Sequence, residues 1–230
     1  MTTTLAIMMI AGYVLGSIPA SLLVARARGI DLRRHGTFQV GAGNVWRTTS
    51  HRLGLAVGTF DFCKGAAMVL YAFWLGLDPT GQLLIGLAVV VGHNWPVFLR
   101  FHGGRGIATS GGIILVMPFI NHSSIWGVVA YFIILIGAML LYRSSPIAIL
   151  AGVTIQPVVT AATGGAPSLT MTYLALLIIV IVKRLTAQTS PQSRTIGFWR
   201  LMANRLIWDR DIANRSAWVS RRHEVKKEPV

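Results

Sequence analysis

Two stretches of this chain gather the residue types that hold anions. The first reads Arg33-Arg34-His35-Gly36-Thr37-Phe38-Gln39-Val40-Gly41-Ala42-Gly43-Asn44-Val45-Trp46-Arg47-Thr48-Thr49. Glycine lets a backbone approach a ligand closely, successive free amides form an anion-binding nest, and an arginine at the rim offers a planar fork to phosphate. The spacing is neither that of a Walker loop nor that of a dinucleotide fingerprint. A phosphate site and a flexible re-entrant loop both fit it. The second stretch runs from Gly92-His93-Asn94-Trp95-Pro96 to Gly103-Gly104-Arg105-Gly106-Ile107-Ala108-Thr109. Its Gly-Gly-Arg-Gly directly before a helix leaves bare amides at the helix N-terminus, where unpaired donors and the dipole favour an anion. His93 falls six residues before Leu99, about 9 Å inside its apolar segment at ~1.5 Å per residue. An ionisable group at that depth reads either as functional or as a satisfied packing histidine. Asp61-Phe62-Cys63-Lys64 puts a carboxylate and an ammonium on one helix face. It reads either as a structural ion pair or as a lysine reaching toward an anionic substrate. His102, in the connecting loop, is given no role.

The elements that must position these residues are membrane helices. Of the 230 residues, 53% are hydrophobic and 12% charged, and the mean hydropathy is +0.62. A soluble domain carries about 25% charged residues, and a disordered chain has far less apolar surface. The apolar runs do not alternate as barrel strands do. Seven of them stand out, Leu5–Ala25, Leu53–Gly76, Gly81–Leu99, Ile107–Ile120, Ile125–Tyr142, Pro146–Thr163 and Leu169–Val182, against the ~20 residues that a bilayer core demands. The fourth is short and holds Gly111, Gly112 and Pro118, so it is expected to be tilted, broken or half re-entrant. The expected fold is all-α: a polytopic membrane protein with seven transmembrane helices, the N-terminus outside and one short or broken helix. Residues 1–182 form the membrane domain and 183–230 a basic cytoplasmic tail. The first 25 residues lack Lys and Arg, and so read as a retained first span rather than a signal peptide.

The net charge of +14 is sorted by side. Twenty of the 21 basic residues lie in residues 26–52, 100–105, at Arg143 or from Lys183 onward, and the remaining one is Lys64. The positive-inside rule therefore puts those segments in the cytoplasm, where basic residues also attract anionic lipid at about 1 kcal/mol each. Nucleic acid is not an expected partner. The tail holds 11 basic and 4 acidic residues with Trp199, Trp208 and Trp218 spaced through it. Its arginines show no helical period, so it is expected to be partly disordered, with tryptophans at headgroup level. The single cysteine, Cys63, excludes an internal disulfide and reads as a packing residue. No ligand cluster for zinc or magnesium is visible, and no cofactor is expected.

At these residues the chain resembles the acyl-phosphate-dependent glycerol-3-phosphate acyltransferase family of bacterial membranes. The resemblance rests on Gly16-Ser17-Ile18-Pro19 with Gly29-Ile30-Asp31-Leu32-Arg33, on Val40-Gly41-Ala42-Gly43-Asn44-Val45-Trp46-Arg47-Thr48 and on Asp61-Phe62-Cys63-Lys64-Gly65. It continues through Gly92-His93-Asn94-Trp95-Pro96-Val97-Phe98, Gly103-Gly104-Arg105-Gly106-Ile107-Ala108-Thr109 and a fainter Tyr142-Arg143-Ser144. It implies a seven-span, N-outside bacterial inner-membrane enzyme of phospholipid biosynthesis, with its site at the cytoplasmic face. The implied reaction moves an acyl group from acyl phosphate to glycerol 3-phosphate, giving lysophosphatidate and phosphate. By the same resemblance Thr37, Gly41, Ala42, Gly43, Asn44 and Arg47 form the phosphate-holding loop, and Lys64, His93, Gly103, Gly104, Arg105, Thr109 and Ser144 are polar or glycine site positions. The chain departs from the family pattern in three places. In the first loop Phe38 and Gln39 replace a Gly and an Asn, Gly43 replaces a Thr and Thr37 stands for a Ser; Arg105 replaces a Lys; and Lys183-Arg184-Leu185 stands where the family ends its seventh span with a His and an Asn. The expected catalytic set is accordingly His93, Asn44 and Arg105.

An acyl phosphate carries its own leaving group, so positioning and preorganised positive charge suffice, without a covalent nucleophile. The base is either His93 or a substrate phosphate oxygen. The His-x4-Asp pattern of another acyltransferase class is absent, since Val40, Ala56, Phe98, Ile107 and Gly127 stand five after the candidate histidines. Two other functions fit the same residues: a silent homologue that binds lipid precursors, and a carrier of phosphorylated anions. Against the carrier, the outer loops have no basic residues to complete a path, and no inverted repeat is visible.

Overall fold

The structure, a computed structural model, describes residues 3–142, 145–187, 193 and 195–220. Those residues form eleven α-helices, with a 3-10 turn at Val97–Leu99, and no strand. α1 (Thr3–Ser17) and α2 (Ala20–Arg26) divide the first apolar segment. Pro19 separates them, because its ring removes a backbone donor and drives Ile18 out of helical geometry. The broken segment is therefore the first. The fourth, α6 (Ile107–Ile120), is a continuous 14-residue helix with Pro118 in its last turn. At ~1.5 Å per residue it covers about 21 Å, short of a hydrocarbon core of ~30 Å.

α3 (Ala42–Thr48) is a short helix inside the first glycine loop, and α4 (His51–Trp74) is the longest span. α5 (Pro79–Asn94) begins on Asp78, whose carboxylate accepts from the amides of Thr80 at 3.2 Å and Gly81 at 3.3 Å. Pro79 as the first helical residue costs no hydrogen bond there. α5 ends at Asn94, and Pro96 opens a 3-10 turn over Val97–Leu99. His93 consequently lies in the last turn of its helix, which corrects the 9 Å depth expected from a segment running to Leu99. α7 (Trp126–Tyr142), α8 (Ser145–Ala162) and α9 (Pro167–Leu185) complete seven apolar helical segments. Four segments, 3–26, 51–74, 79–99 and 167–185, are long and apolar enough to cross a membrane unaided; the others are shorter.

Small residues let the helices touch backbone to backbone, the contact that replaces the hydrophobic effect in lipid. α1 packs on α5 and α4 on α6. A Cβ on Gly92 would sit 2.1 Å from the Tyr13 carbonyl, and one on Gly65 2.3 Å from the Thr109 carbonyl. Val69, Leu83, Val90, Ile113, Ile114 and Leu176 fill the core, drawn from α4, α5, α6 and α9. Ile7, Ile10, Trp74, Trp126, Leu140 and Leu141 point outward, as lipid-facing residues do. In the tail, α10 (Phe198–Trp208) and α11 (Arg215–Ser220) are helical, and α10 packs on α8 and α9. Of its tryptophans, Trp199 is exposed and Trp218 buried.

Candidate active site

The first glycine loop is built around Asn44. This side chain is buried; its Nδ2 donates to the carbonyls of Leu32 (3.2 Å), His35 (3.0 Å) and Gln39 (2.9 Å). Its Oδ1 accepts from the Thr37 amide at 3.0 Å. Every polar atom of Asn44 is thus spent on loop backbone. The catalytic part read for Asn44 from the sequence becomes a loop-shaping one. Gly36 (φ +64°) closes over it, where a Cβ would meet Asn44 Oδ1 at 2.3 Å. Gly41 and Ala42 begin α3, Ala42 facing Gly58 of α4, while Gly43 is exposed. Arg47 Nη1 donates to the Gly43 carbonyl at 2.7 Å. Before the loop, Arg33 grips Asp31 at 2.7 Å, and that hydrogen bond holds the Asp31 carboxyl down at about 2.

The second constellation joins three helices. Lys64 Nζ lies 2.9 Å from Asp61 Oδ1, 2.9 Å from His93 Nδ1 and 3.0 Å from the Gly16 carbonyl. Three acceptors match the three protons of one ammonium. Asp61 Oδ1 is also 3.4 Å from His93 Nδ1. The Asp61–Lys64 motif is an intrahelical ion pair, and its lysine turns to His93 and the Gly16 carbonyl, so all three ammonium protons lie on protein acceptors. Lysine donation into Nδ1 leaves the imidazole proton on Nε2. Nε2 points at Gly104, where a Cβ would sit 2.1 Å away, so glycine is required for the ring to be seated. Val40, Asp61, His93, Pro96, Gly103 and Gly104 line a small open cleft beside the Gly16–Ser21 turn. The cleft thus joins the border of the first loop to the second loop. Ser144 lies outside the described residues. Arg47 does not line the cleft.

Next to it, Gly106 takes a left-handed conformation (φ 69°) and starts α6, as glycine does at low cost. Thr109 and Ser110, in the first turn of α6, are buried and their hydroxyls have no hydrogen-bond partner. Both side-chain atoms of buried Asn94 are likewise unpartnered. Such groups cost about 1–3 kcal/mol each when unmet. Arg105 leaves this turn toward the tail. Its Nη1 lies 2.6 Å from Asp209 Oδ1 and 3.4 Å from the Lys183 carbonyl. Lys183 Nζ in turn donates to the Asn94 carbonyl and stands 5.1 Å over the Trp95 ring. Burial pushes the Asp209 carboxyl up, outweighing the pull of Arg105, Arg184 and Lys183.

The sequence reading missed Asn94, Lys183 and Asp209. Lys183 and Arg184 looked like topological charges at a span end, yet both are buried. Asn94 was visible only as the neighbour of His93. Asp209 carried no signal among the charges of the tail.

Residues 6–189 match the family described as "Glycerol-3-phosphate acyltransferase". Glycerol-3-phosphate acyltransferase 4 of Dehalococcoides mccartyi (strain CBDB1) is 41% identical, covering 99% of this chain and 98% of the relative. Among solved structures, the crystal structure of PlsY (YgiH), an integral membrane glycerol 3-phosphate acyltransferase, is similar in its glycerol 3-phosphate form. It superposes with a TM-score of 0.71 at 28% identity, over 79% of this chain and 88% of that one. Its lysophosphatidic acid form gives a TM-score of 0.70 at 26% identity, over 88% and 93%.

Proposed function

The chain belongs to the glycerol-3-phosphate acyltransferase family, and we propose that it transfers a fatty acyl group from acyl phosphate to the 1-hydroxyl of glycerol 3-phosphate. The products are lysophosphatidate and inorganic phosphate. The observation that carries this reading is the cleft at His93. There a ring fixed by Lys64 and Asp61 faces the bare backbone of Gly103-Gly104, directly before the cationic Arg105.

In the proposed reaction the glycerol hydroxyl oxygen attacks the acyl carbon. The bond from that carbon to the bridging phosphate oxygen breaks, and phosphate departs. His93 presents Nε2–H as a donor to the departing phosphate or the acyl oxygen. The hydroxyl proton passes to a phosphate oxygen of the substrate, since His93 has no free acceptor nitrogen in this arrangement. Arg105, next to Gly104 of the cleft, and Arg47, on the first loop outside its lining, supply the positive charge for the two phosphates. Thr37, Gly41, Ala42 and Gly43 shape the first loop around them. Gly103, Gly104 and Thr109 place amides and a hydroxyl at the second, and Ser144 is assigned to substrate binding by its motif alone. Preorganised placement of two bound anions provides most of the acceleration.

The protein is a multi-pass membrane protein. We place its site on the cytoplasmic side, with the membrane domain of residues 1–182 crossing seven times, because the basic residues gather at that end. Incubation of purified protein with radiolabelled acyl phosphate and glycerol 3-phosphate tests the activity. Labelled lysophosphatidate is the expected product, and labelled free fatty acid alone contradicts the assignment.

A further inference from the structure

The contact between Arg105 and the tail has a chemical consequence for the site. Asp209 follows α10 in a left-handed turn (φ 54°), and its position is built rather than incidental. Arg205 pairs with Asp211 at 2.7 Å and donates to the Leu185 carbonyl at 2.9 Å. Asn204 donates to the Asp211 carbonyl at 2.8 Å. From the membrane side, Arg184 Nη1 donates to the Leu206 carbonyl at 2.6 Å. These bonds tie α10 and the turn after it to the end of α9. The turn delivers one carboxylate, its side chain 10% exposed, to Arg105, 16% exposed, with Lys183 and Arg184 close by.

Three cations packed together repel one another, and one buried carboxylate among them relieves that repulsion. It also orients one of them. Arg105 is held through Nη1, by Asp209 and by the Lys183 carbonyl. Among the described residues its Nε and Nη2 make no hydrogen bond, so that edge of the fork is left for a bidentate anion. The holding residue lies outside residues 6–189, which match the family.

We propose that Asp209 is a positioning residue for the reaction: the tail clamps Arg105 by one nitrogen and so presents the rest of its fork to a substrate phosphate. This rests on the reading of Arg105 as a phosphate ligand. The phosphate is that of acyl phosphate or of glycerol 3-phosphate, and the kinetics of each variant with either substrate varied tell which.

The test is a double-mutant cycle on the full-length protein, with inorganic phosphate as the calorimetric probe. Arg105→Ala and Asp209→Asn are each expected to weaken phosphate binding about tenfold, the loss of one charge-assisted contact. The double variant is expected to be no weaker than Arg105→Ala alone, because Asp209 acts through Arg105. Asp209→Glu, which keeps the charge, is expected to regain most of the affinity. In turnover, Asp209→Asn is expected to raise the KM of the substrate whose phosphate Arg105 holds. Full affinity in Arg105→Ala overturns the phosphate reading and the clamp with it. Weakened binding in Arg105→Ala with full affinity in Asp209→Asn overturns the clamp alone. Tighter binding in Asp209→Asn also overturns it, showing a carboxylate that competes with phosphate. Hydrogen exchange on the unaltered protein decides the matter where Asp209→Asn does not fold. Saturating phosphate is expected to slow exchange across residues 198–211. Faster or unchanged exchange there contradicts the clamp.

Discussion

Lys64 Nζ lies 2.9 Å from the Nδ1 of His93, a residue on another helix, and that contact ties the ring of α5 to α4. The second lysine contact, to Asp61 at 2.9 Å, pairs the two side chains inside the bundle. Removing one partner from such a buried pair costs about 3–5 kcal/mol, so substitutions of Lys64 mix stability with function. His93→Ala is the cleaner experiment, because the carboxylate and ammonium keep each other. It is expected to abolish acyl transfer while leaving the thermal unfolding midpoint in detergent within a few degrees of the wild type. Full activity in His93→Ala makes the ring a packing residue.

Arg105 and Arg47 stand differently. Arg105 is partly buried and clamped, whereas Arg47 is on a short loop helix and bonds its own Gly43 carbonyl. Each alanine variant is expected to lose about 1.5–3 kcal/mol of substrate binding, the value of a hydrogen bond to a charged group. Arg47→Lys is expected to restore only part of it, since a point charge cannot reproduce the planar fork. Calorimetry with glycerol 3-phosphate and with a non-hydrolysable acyl phosphate measures both. Undiminished affinity in either alanine variant removes that residue from the phosphate site.

The first loop has an acid limit. Arg33 lowers the Asp31 carboxyl from 3.8 to about 2. A depressed carboxylate contributes stability that is present above the unfolded value and lost as the pH falls through the folded one. The Asp31–Arg33 link is therefore expected to hold at pH 4 and to be lost as the pH falls toward 2. Carbon-detected NMR of Asp31 is expected to titrate near 2 in the wild type and near 3.8 in Arg33→Ala. The same midpoint in both proteins contradicts the pairing.

Sidedness is testable with single cysteines. Cys63 is exposed in the structure and is first replaced by Ala. Cysteines at the exposed positions 34 and 215 are expected to resist a membrane-impermeant maleimide on intact cells. One at exposed position 123 is expected to react. Labelling at 34 or 215 without permeabilisation contradicts the cytoplasmic site.

Much of this was legible in the residues. Both glycine loops announced themselves by type and spacing, and Asp61 with Lys64 by their helical offset. The apolar segments were legible as well, although hydropathy ran straight across Pro19 and Pro96, where the ring chemistry breaks the helices. What sequence could not supply was the meeting of elements far apart in the chain. Nothing local says that His93 closes onto Lys64, or that Asn44 is consumed by its own loop. The tail was hidden for a different reason. The buried face of α10 is Leu201, Asn204 and Arg205, spaced as a helix but mostly polar, so a search for apolar period passes over it. Asp209 acts through one long-range ion pair, which leaves no pattern in sequence.

The central claim, that this cleft couples two phosphate substrates in one transfer, is tested most directly by phosphate release. Purified protein is given a long-chain acyl phosphate, and inorganic phosphate is followed with and without glycerol 3-phosphate. Release is expected to depend on glycerol 3-phosphate, with one phosphate for each lysophosphatidate formed. Release at the same rate without glycerol 3-phosphate, or none with it, contradicts the account.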